Sequence, residues 1–476
     1  MSRMRWGCWV AWAVVCGCAV GPNYHRPEVA QPQTFRDAAA EQASIADLPW
    51  WEVFKDETLQ ALIRESLDKN LDLQAAIHTV ERSRDVAAVQ QGNLLPDVGY
   101  LGLASRGKGT SLGNVNTDTP ELTRNTALGM VNASWELDLW GRIRRATEES
   151  RAQMLASDAA RRGVVLSLVT GVAQAYLELR ELDLELEITH RNVDAFQGTY
   201  DLFTRQFRGG VASKLDSLRA QAALEQATSI IPQVQQRIRE KENQLAVLLG
   251  REPGPIARGS QLLDVSVPPE IPAGVPSLLL ERRPDLIEAE QNVVATNADI
   301  GVSIAEFFPR FGLTALYGSQ SSEFSQFLHS GTDVWSIAAA ASGPLFTFGR
   351  TWYRWEGAEE AHHASVAQYQ QSVLTALADV SNVLSARGNV TAQRESLERE
   401  VAALRESFDL AQKRYLGGLS TYVEVLDAQQ ALLPAELALA QAQRDERLVI
   451  VDLYRALGGG WSQNGEAPTI PSPLRP

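Results

Sequence analysis

The stretch Phe207-Arg-Gly-Gly-Val-Ala-Ser213 returns 208 positions later (415 − 207) as Tyr415-Leu-Gly-Gly-Leu-Ser-Thr421. The same offset places Leu139-Trp-Gly-Arg142 over Thr347-Phe-Gly-Arg350. Each half predicts the same order of elements: a helix, two strands, a very long helix, a Gly-Gly tip and a return helix. A repeat of about 200 residues is too long for a solenoid unit. The sequence therefore indicates an internal two-fold repeat with two strands in each half.

The N-terminus has the features of a secretory signal. Two arginines precede an apolar run that is too short to span a bilayer. The run ends at Val15-Cys-Gly-Cys18, which is similar to a bacterial lipobox, where the last cysteine is acylated. We therefore predict a lipoprotein signal peptide at 1–17 and lipidation of Cys18, for example with palmitate. Ala19, and not Asp, follows, which favours sorting to the outer membrane. The alternative is a simple signal peptide that is cleaved further along the chain.

Composition limits the classes of function. The chain has 476 residues with 44 basic and 58 acidic side chains, a net charge of −14, which argues against nucleic acid as a partner. All three cysteines lie at or before Cys18, so the exported body has no pair of cysteines to form a disulfide. No later segment reaches the length of a transmembrane helix.

Four stretches alternate with a period of two residues. One face of each is apolar and the other is small or polar, and the length of about ten residues is typical of outer-membrane strands. A half-buried sheet of a water-soluble domain would show the same alternation. Aromatic residues near the strand ends and the export signal favour the membrane interpretation. The predicted strands lie at about 95–105, 127–140, 308–319 and 333–346.

Two long segments are predicted to be continuous helices, because no proline interrupts residues 121–231 or 345–433. The helices at about 142–207 and 350–416, each of roughly 65 residues, would be about 100 Å long at 1.5 Å per residue. Such rods must pack against other rods in coiled-coil fashion. Glycine at each tip allows the left-handed backbone that ends a helix.

These patterns divide the chain into six segments. The return helices are expected at about 213–249 and 420–457, bent or interrupted at Pro232 and Pro434. The segments are the signal peptide 1–17, a lipid-anchored extended segment 18–49, a first repeat 50–250, a proline-rich connector 251–280, a second repeat 281–458 and a C-terminal tail 459–476.

No catalytic constellation is found. The stretch Gly102–Lys108 approximates a phosphate-binding loop, but Gly109 follows where Ser or Thr is required, and no helix comes next. His362 and His363 are adjacent and would point about 100° apart on a helix, so they favour a helix contact over a shared metal. The sequence therefore predicts no enzyme, no metal site and no cofactor.

The shortage of strands points to assembly. Four membrane strands cannot close a barrel, for which about eight are needed, and open sheet edges are not tolerated in lipid. Several copies must therefore pool their strands. The same copies would pool their helices into a tube on the same axis. A tube that crosses the outer membrane and reaches far into the periplasm is a passage.

The mature chain carries six motifs in order: Cys18-Ala-Val-Gly-Pro-Asn-Tyr24 with Pro27, Trp50-Trp51-x-x-Phe54, Arg282-Arg-Pro-Asp-Leu286, Phe308-Pro309, Tyr415-x-x-Gly418 and Leu426-Asp-Ala-Gln429. Together these resemble the TolC-like outer-membrane lipoproteins of the NodT type, which serve tripartite pumps with resistance–nodulation–division transporters. The resemblance covers nearly the whole mature chain. It implies an α+β membrane protein: a trimeric 12-stranded β-barrel, four strands per chain, continuous with a long periplasmic α-helical coiled-coil barrel.

The resemblance also implies partners and sites. The partners would be two further copies in a homotrimer, a periplasmic adaptor, an inner-membrane resistance–nodulation–division transporter and outer-membrane lipid. The gate at the periplasmic end would involve Asp427 and, at the corresponding region of the first half, Asp216; both could instead only stabilise a helix N-terminus. The tip positions that match the adaptor-contacting region are Arg208, Gly209, Gly210, Val211 and Ser213, and Gly417, Gly418, Leu419 and Ser420.

The implied function is a passive exit duct for small molecules such as drugs, lipid-anchored in the outer membrane with a large periplasmic portion. Two alternatives stay open. The same duct could serve metal-ion efflux or type I protein secretion. The chain could instead be a non-transport envelope lipoprotein.

Overall fold

The computed structural model describes residues 19–29, 56–108, 123–264, 279–327 and 329–459. The predictions for the signal peptide, Cys18, the Trp50–Phe54 motif and the C-terminal tail from residue 460 lie outside these ranges. So do residues 30–49 of the extended segment and 265–278 of the connector.

The described residues form nine α-helices and four strands. In chain order they are α1 (Glu57–Lys69), α2 (Leu71–Gly92), β1 (Asp97–Lys108), β2 (Thr123–Leu137), α3 (Arg142–Arg208), α4 (Lys214–Thr228), α5 (Ile230–Leu248), α6 (Leu279–Arg282), α7 (Pro284–Ala305), β3 (Arg310–Ser321), β4 (Asp333–Ser342), α8 (Arg350–Leu416) and α9 (Tyr422–Ala456). Short 3-10 turns occur at Leu262–Asp264 and Phe324–Gln326. None of these helices is long and apolar enough to cross a membrane.

The chain divides into two units, which we call the sheet unit and the helical unit. The sheet unit comprises the described parts of Met1–Glu28, Thr79–Asp158 and Glu288–Gln370. The helical unit comprises those of Val29–His78, Ala159–Ile287 and Gln371–Pro476.

The sheet unit holds one antiparallel sheet in the order β1-β2-β3-β4. Its register places Tyr100 opposite Val131, Val131 opposite Tyr317, and Tyr317 opposite Trp335. Directly opposite residues share a face of a sheet, so these four form one row across all strands. All four side chains are exposed in the single chain. The apolar face of the sheet is therefore not covered by this chain's own described residues at that row.

The described part of the extended N-terminal segment, residues 19–29, contacts the junction between β2 and α3. Val20 donates its backbone N–H to the Trp140 carbonyl at 2.9 Å, and Arg145 donates to the Val20 carbonyl at 3.2 Å. Gly21 has a φ of +94°, and a Cβ there would lie 2.5 Å from Gly301 Cα. Only glycine suits this close approach and this backbone conformation.

The helical unit packs around the middle of α3. Its core includes Tyr176, Leu179 and Leu245, all fully buried, together with Ile63 from α1 and Leu249 at the end of α5. Long apolar side chains from several helices meet there, as expected for rods that each present an apolar stripe.

The two return segments differ at their prolines. In the first half the break lies at Ser229, and Pro232 is the third residue of α5, where its missing N–H breaks no helical hydrogen bond. In the second half α9 continues through Pro434. Leu433 and Ala435, on either side of Pro434, are both buried, and this packing holds the helix across the proline.

Candidate functional site

The first tip ends α3 with a glycine in the left-handed region. Gly210 has a φ of +73°, and its N–H donates to the Phe207 carbonyl at 3.0 Å. Val211 N–H reaches back to the Gln206 carbonyl at 2.9 Å. This pair of bonds satisfies carbonyls that the helix end would otherwise leave free.

The second tip repeats this geometry at the end of α8. Gly418 has a φ of +71° and donates to the Tyr415 carbonyl at 3.0 Å. Leu419 N–H donates to the Arg414 carbonyl at 2.9 Å. The residues predicted at the tips, Arg208 to Ser213 and Gly417 to Ser420, therefore occupy two turns of the same construction.

Aromatic packing brings the two tips together within the helical unit. The ring centroids of Phe203 and Tyr422 are 3.7 Å apart, and Tyr415 Oη donates to Gln206 Oε1 at 2.9 Å. Burial, and then the nearby charge of Asp216, raise the pKa of Tyr422 to about 12. The tips form one packed surface, in which the first half contacts the second.

Apolar side chains are exposed at both tips. Val211 is 81% exposed and Leu419 is 75% exposed, and Leu416 at the end of α8 is also exposed. Exposed large apolar groups that cluster next to a rigid turn are suited to binding another protein.

The two aspartates predicted for the gate have different surroundings in the structure. Asp216 takes part in the cap of α4: its N–H donates to Ser213 Oγ at 3.2 Å, and Ser213 Oγ donates to Asp216 Oδ2 at 2.7 Å. Asp427 is exposed on α9 and has no hydrogen bond or ion pair with any described residue. At the start of α9, Thr421 occupies the cap position but makes no side-chain cap bond. Of the two, Asp427 is the one that is exposed and unpaired within the described part of the chain.

The sequence prediction missed buried carboxylates in the helical unit. Glu181 and Glu185 lie one turn apart on α3 and are 1% and 2% exposed. Arg444 contacts Glu181 at 3.4 Å, and Arg237 and Gln441 bind Glu185 at 2.7 and 3.0 Å. Burial, and then the hydrogen bond and charge of Glu185, raise the pKa of Glu181. The signal available in the sequence was the stretch 177–188, where apolar and mostly acidic residues alternate so closely that some acids must lie on the apolar side of the helix.

A third buried acid, Glu436 on α9, lies between cations from two other helices. Arg405 on α8 and Arg191 on α3 contact its two oxygens at 2.6 and 3.1 Å, and Asn192 Nδ2 donates to it at 2.9 Å. These contacts tie α3, α8 and α9 together within the helical unit.

One of the two adjacent histidines, His362, takes part in a helix contact. His362 Nδ1 lies 3.3 Å from Thr296 Oγ1 on α7. Within the described residues no group of three or more His, Cys, Asp or Glu side chains is placed to hold a metal ion.

A sequence profile named "outer membrane efflux protein" matches residues 62–251 and 275–459. The chain belongs to the outer membrane efflux protein family. Among relatives, the antibiotic efflux pump outer membrane protein ArpC of Pseudomonas putida is 32% identical over 462 residues, covering 95% of each chain. The cation efflux system protein CusC of Escherichia coli O6:H1 is 30% identical over 452 residues, covering 94% of this chain and 96% of the relative.

The fold of this efflux protein also matches a solved channel. The outer-membrane channel OprN has a TM-score of 0.86 and 32% sequence identity, covering 93% of this chain and all of that one. The predicted family resemblance is thereby confirmed, as are the outer-membrane location and the role in efflux. As a member of this family, the protein is a transport protein.

Proposed function

We propose that this efflux protein is the outer-membrane exit duct of a tripartite pump and acts as a homotrimer. The observation that carries the proposal is the four-stranded sheet with an exposed apolar face and strands β1 and β4 at its edges. Three copies supply 12 strands (3 × 4), which is enough to close a barrel with no edge in the lipid.

The same trimer would join its helices into a periplasmic tunnel. The two 67-residue helices α3 and α8 start after β2 and β4. We attribute this matched order to a duplication of one half-chain. The tunnel would end at the two tips, where the exposed Val211 and Leu419 would contact a periplasmic adaptor. The inner-membrane transporter would supply the energy, and this chain would be passive.

The position of Ala19, the residue after Cys18, supports lipidation of Cys18. A Cβ on Gly141 would lie 2.6 Å from Ala19 Cα, so Ala19 packs directly where the sheet meets α3. A lipid on Cys18 would then enter the membrane beside the barrel.

The substrates that we propose are small molecules such as drugs, because the relative ArpC is named as an antibiotic efflux pump protein. The second candidate is cations, because CusC is similarly related over a similar length. Susceptibility of a deletion strain to antibiotics and to a panel of metal-cation salts separates the two. Raised sensitivity to metal salts alone would reject the drug assignment.

The duct itself is tested with the purified full-length lipoprotein. We expect a mass of three copies by light scattering in mild detergent, and discrete conductance steps in planar bilayers. A single copy with no conductance would reject the proposal.

The gate assignment gives a separate prediction. Asp427→Ala should raise single-channel conductance by about two-fold, because it removes an unpaired charge at the narrow end of the tunnel. Asp409→Ala is the matched control, since Asp409 on α8 is also exposed and has no partner among the described residues. Equal conductance of the Asp427→Ala variant and the parent would remove Asp427 from the gate. Asp216→Ala should mainly weaken the cap of α4.

A further inference from the structure

Two arginines at the base of the sheet have no carboxylate partner among the described residues. Arg310 begins β3 and Arg350 begins α8. Both are exposed, and neither side chain makes a hydrogen bond or ion pair with any described residue. They line one cleft of about 570 Å³ together with Arg354.

The internal repeat explains why this charge is uncompensated. Arg350 corresponds to Arg142, which makes a two-point ion pair with Glu136 at 3.0 and 2.9 Å. The position that corresponds to Glu136 in the second half is Pro344 (136 + 208), which has no charge. The first half therefore neutralises its arginine, and the second half leaves it free.

The other carboxylates nearby are engaged or distant. Glu306 lines the same cleft, but Arg354 holds it at 3.1 Å. Asp97 lies opposite Ser134, and Ser134 lies opposite Thr314. Within one chain, the Cα atom of Asp97 is therefore two strands across and four residues along from that of Arg310, about 16 Å away by ordinary strand spacing. Asp97 lines a second cleft together with Arg310 but makes no ion pair with it.

The register shows which face of the sheet carries Arg310. Arg310 lies opposite Ser342, and the same face continues through Gly312 and Thr314. It is the small and polar face, whereas the row with Tyr317 and Trp335 lies on the other face. In the barrel of the proposed function the polar face lines the channel.

We propose that Arg310 and Arg350 form an anion-attracting site on the channel side of the sheet, which favours passage of solutes with a carboxylate, sulfonate or phosphate group. The inference rests on the proposed function and adds a substrate preference to it. A trimer would present six such guanidinium groups (3 × 2) around the channel. Rings of arginine or lysine make pores selective for anions, and guanidinium groups suit planar oxyanions.

The test uses full-length protein in planar bilayers of neutral lipid under a KCl gradient. We expect Arg310→Gln/Arg350→Gln to lower the chloride-to-potassium permeability ratio at least about three-fold. Citrate should block the parent channel, and the double variant should need roughly ten-fold more citrate for half-block. Arg239→Gln is the control for charge, because Arg239 on α5 is exposed and unpaired among the described residues.

The outcomes separate this inference from the duct itself. A conducting double variant with the parent's permeability ratio and citrate block would overturn the anion site alone. Absence of conductance in the parent would overturn the duct, and the anion site with it. If mass spectrometry shows that the double variant loses co-purified phosphatidylglycerol while its selectivity is unchanged, the arginines bind a lipid headgroup and the proposal is also overturned.

Discussion

Gly250→Ala is expected to destabilise the protein by about 3 kcal/mol or more, from left-handed backbone strain and a backbone clash together. Gly250 follows α5 with a φ of +67°, and a Cβ there would lie 2.3 Å from the Lys69 carbonyl oxygen. The neighbouring backbone cannot easily retreat, because Asn70 Nδ2 donates to the Leu248 carbonyl at 3.0 Å. The substitution would therefore separate α1 from α5 in the core of the helical unit.

Gly210→Ala isolates the conformational part of this effect. Gly210 has nearly the same φ, +73°, but apart from its two chain neighbours no described residue has an atom within 4 Å of the point that a Cβ would occupy there. Its replacement should cost about 1 kcal/mol, from the backbone alone. Thermal unfolding followed by circular dichroism, at one protein concentration in one detergent, compares the two variants. Equal losses would show that the contact with Lys69 does not constrain Gly250.

Much of the element order could be predicted from the sequence, because periodicity and proline-free segments are local signals. Element ends were harder to place, since they depend on particular residues. The fourth strand was expected to reach 346 but ends at Ser342, where Gly343 and Pro344 follow and Pro344 cannot donate to a ladder. The first return helix was expected to bend or break at Pro232 and is broken three residues earlier, at Ser229.

Only those parts of the candidate site that depend on residues close together in the sequence could be predicted. The Gly-Gly tips follow from the glycines themselves, whereas the difference between Asp216 and Asp427 does not. It depends on where each helix begins: Asp216 is the third residue of α4 and bonds to the cap residue Ser213, whereas Asp427 is the sixth residue of α9, beyond the reach of Thr421. Burial of Glu436 was also hidden, because its cations lie 31 and 245 positions away (436 − 405 and 436 − 191). Contacts at such separations are not encoded in any short pattern.

A second large loss of stability is expected when the two arginines that contact Glu436 are replaced. Glu436 is 4% exposed, whereas Arg191 and Arg405 are more than half exposed. Burial acts to raise the pKa of Glu436, but Arg405, Asn192 and Arg191 outweigh it and leave the pKa below its ordinary value. Arg191→Ala/Arg405→Ala would leave a buried carboxylate with Asn192 alone. We expect a loss of about 2–4 kcal/mol near pH 8, below the full cost of a broken buried pair because both arginines are partly solvated.

Glu436→Leu is the control, and it should cost less, about 1 kcal/mol, because the two arginines that it frees can turn to water.

The pH dependence gives an independent check. In the parent, the lowered pKa of Glu436 contributes stability above the ordinary carboxylate pKa and loses it as the pH falls. In the double variant, burial without cations should raise that pKa, so acid relieves the penalty. The difference in unfolding midpoint between parent and double variant should therefore shrink from pH 8 towards pH 5. A difference that stays constant over this range, or a Glu436→Leu loss as large as that of the double variant, would show that the buried charge is not what the two arginines stabilise.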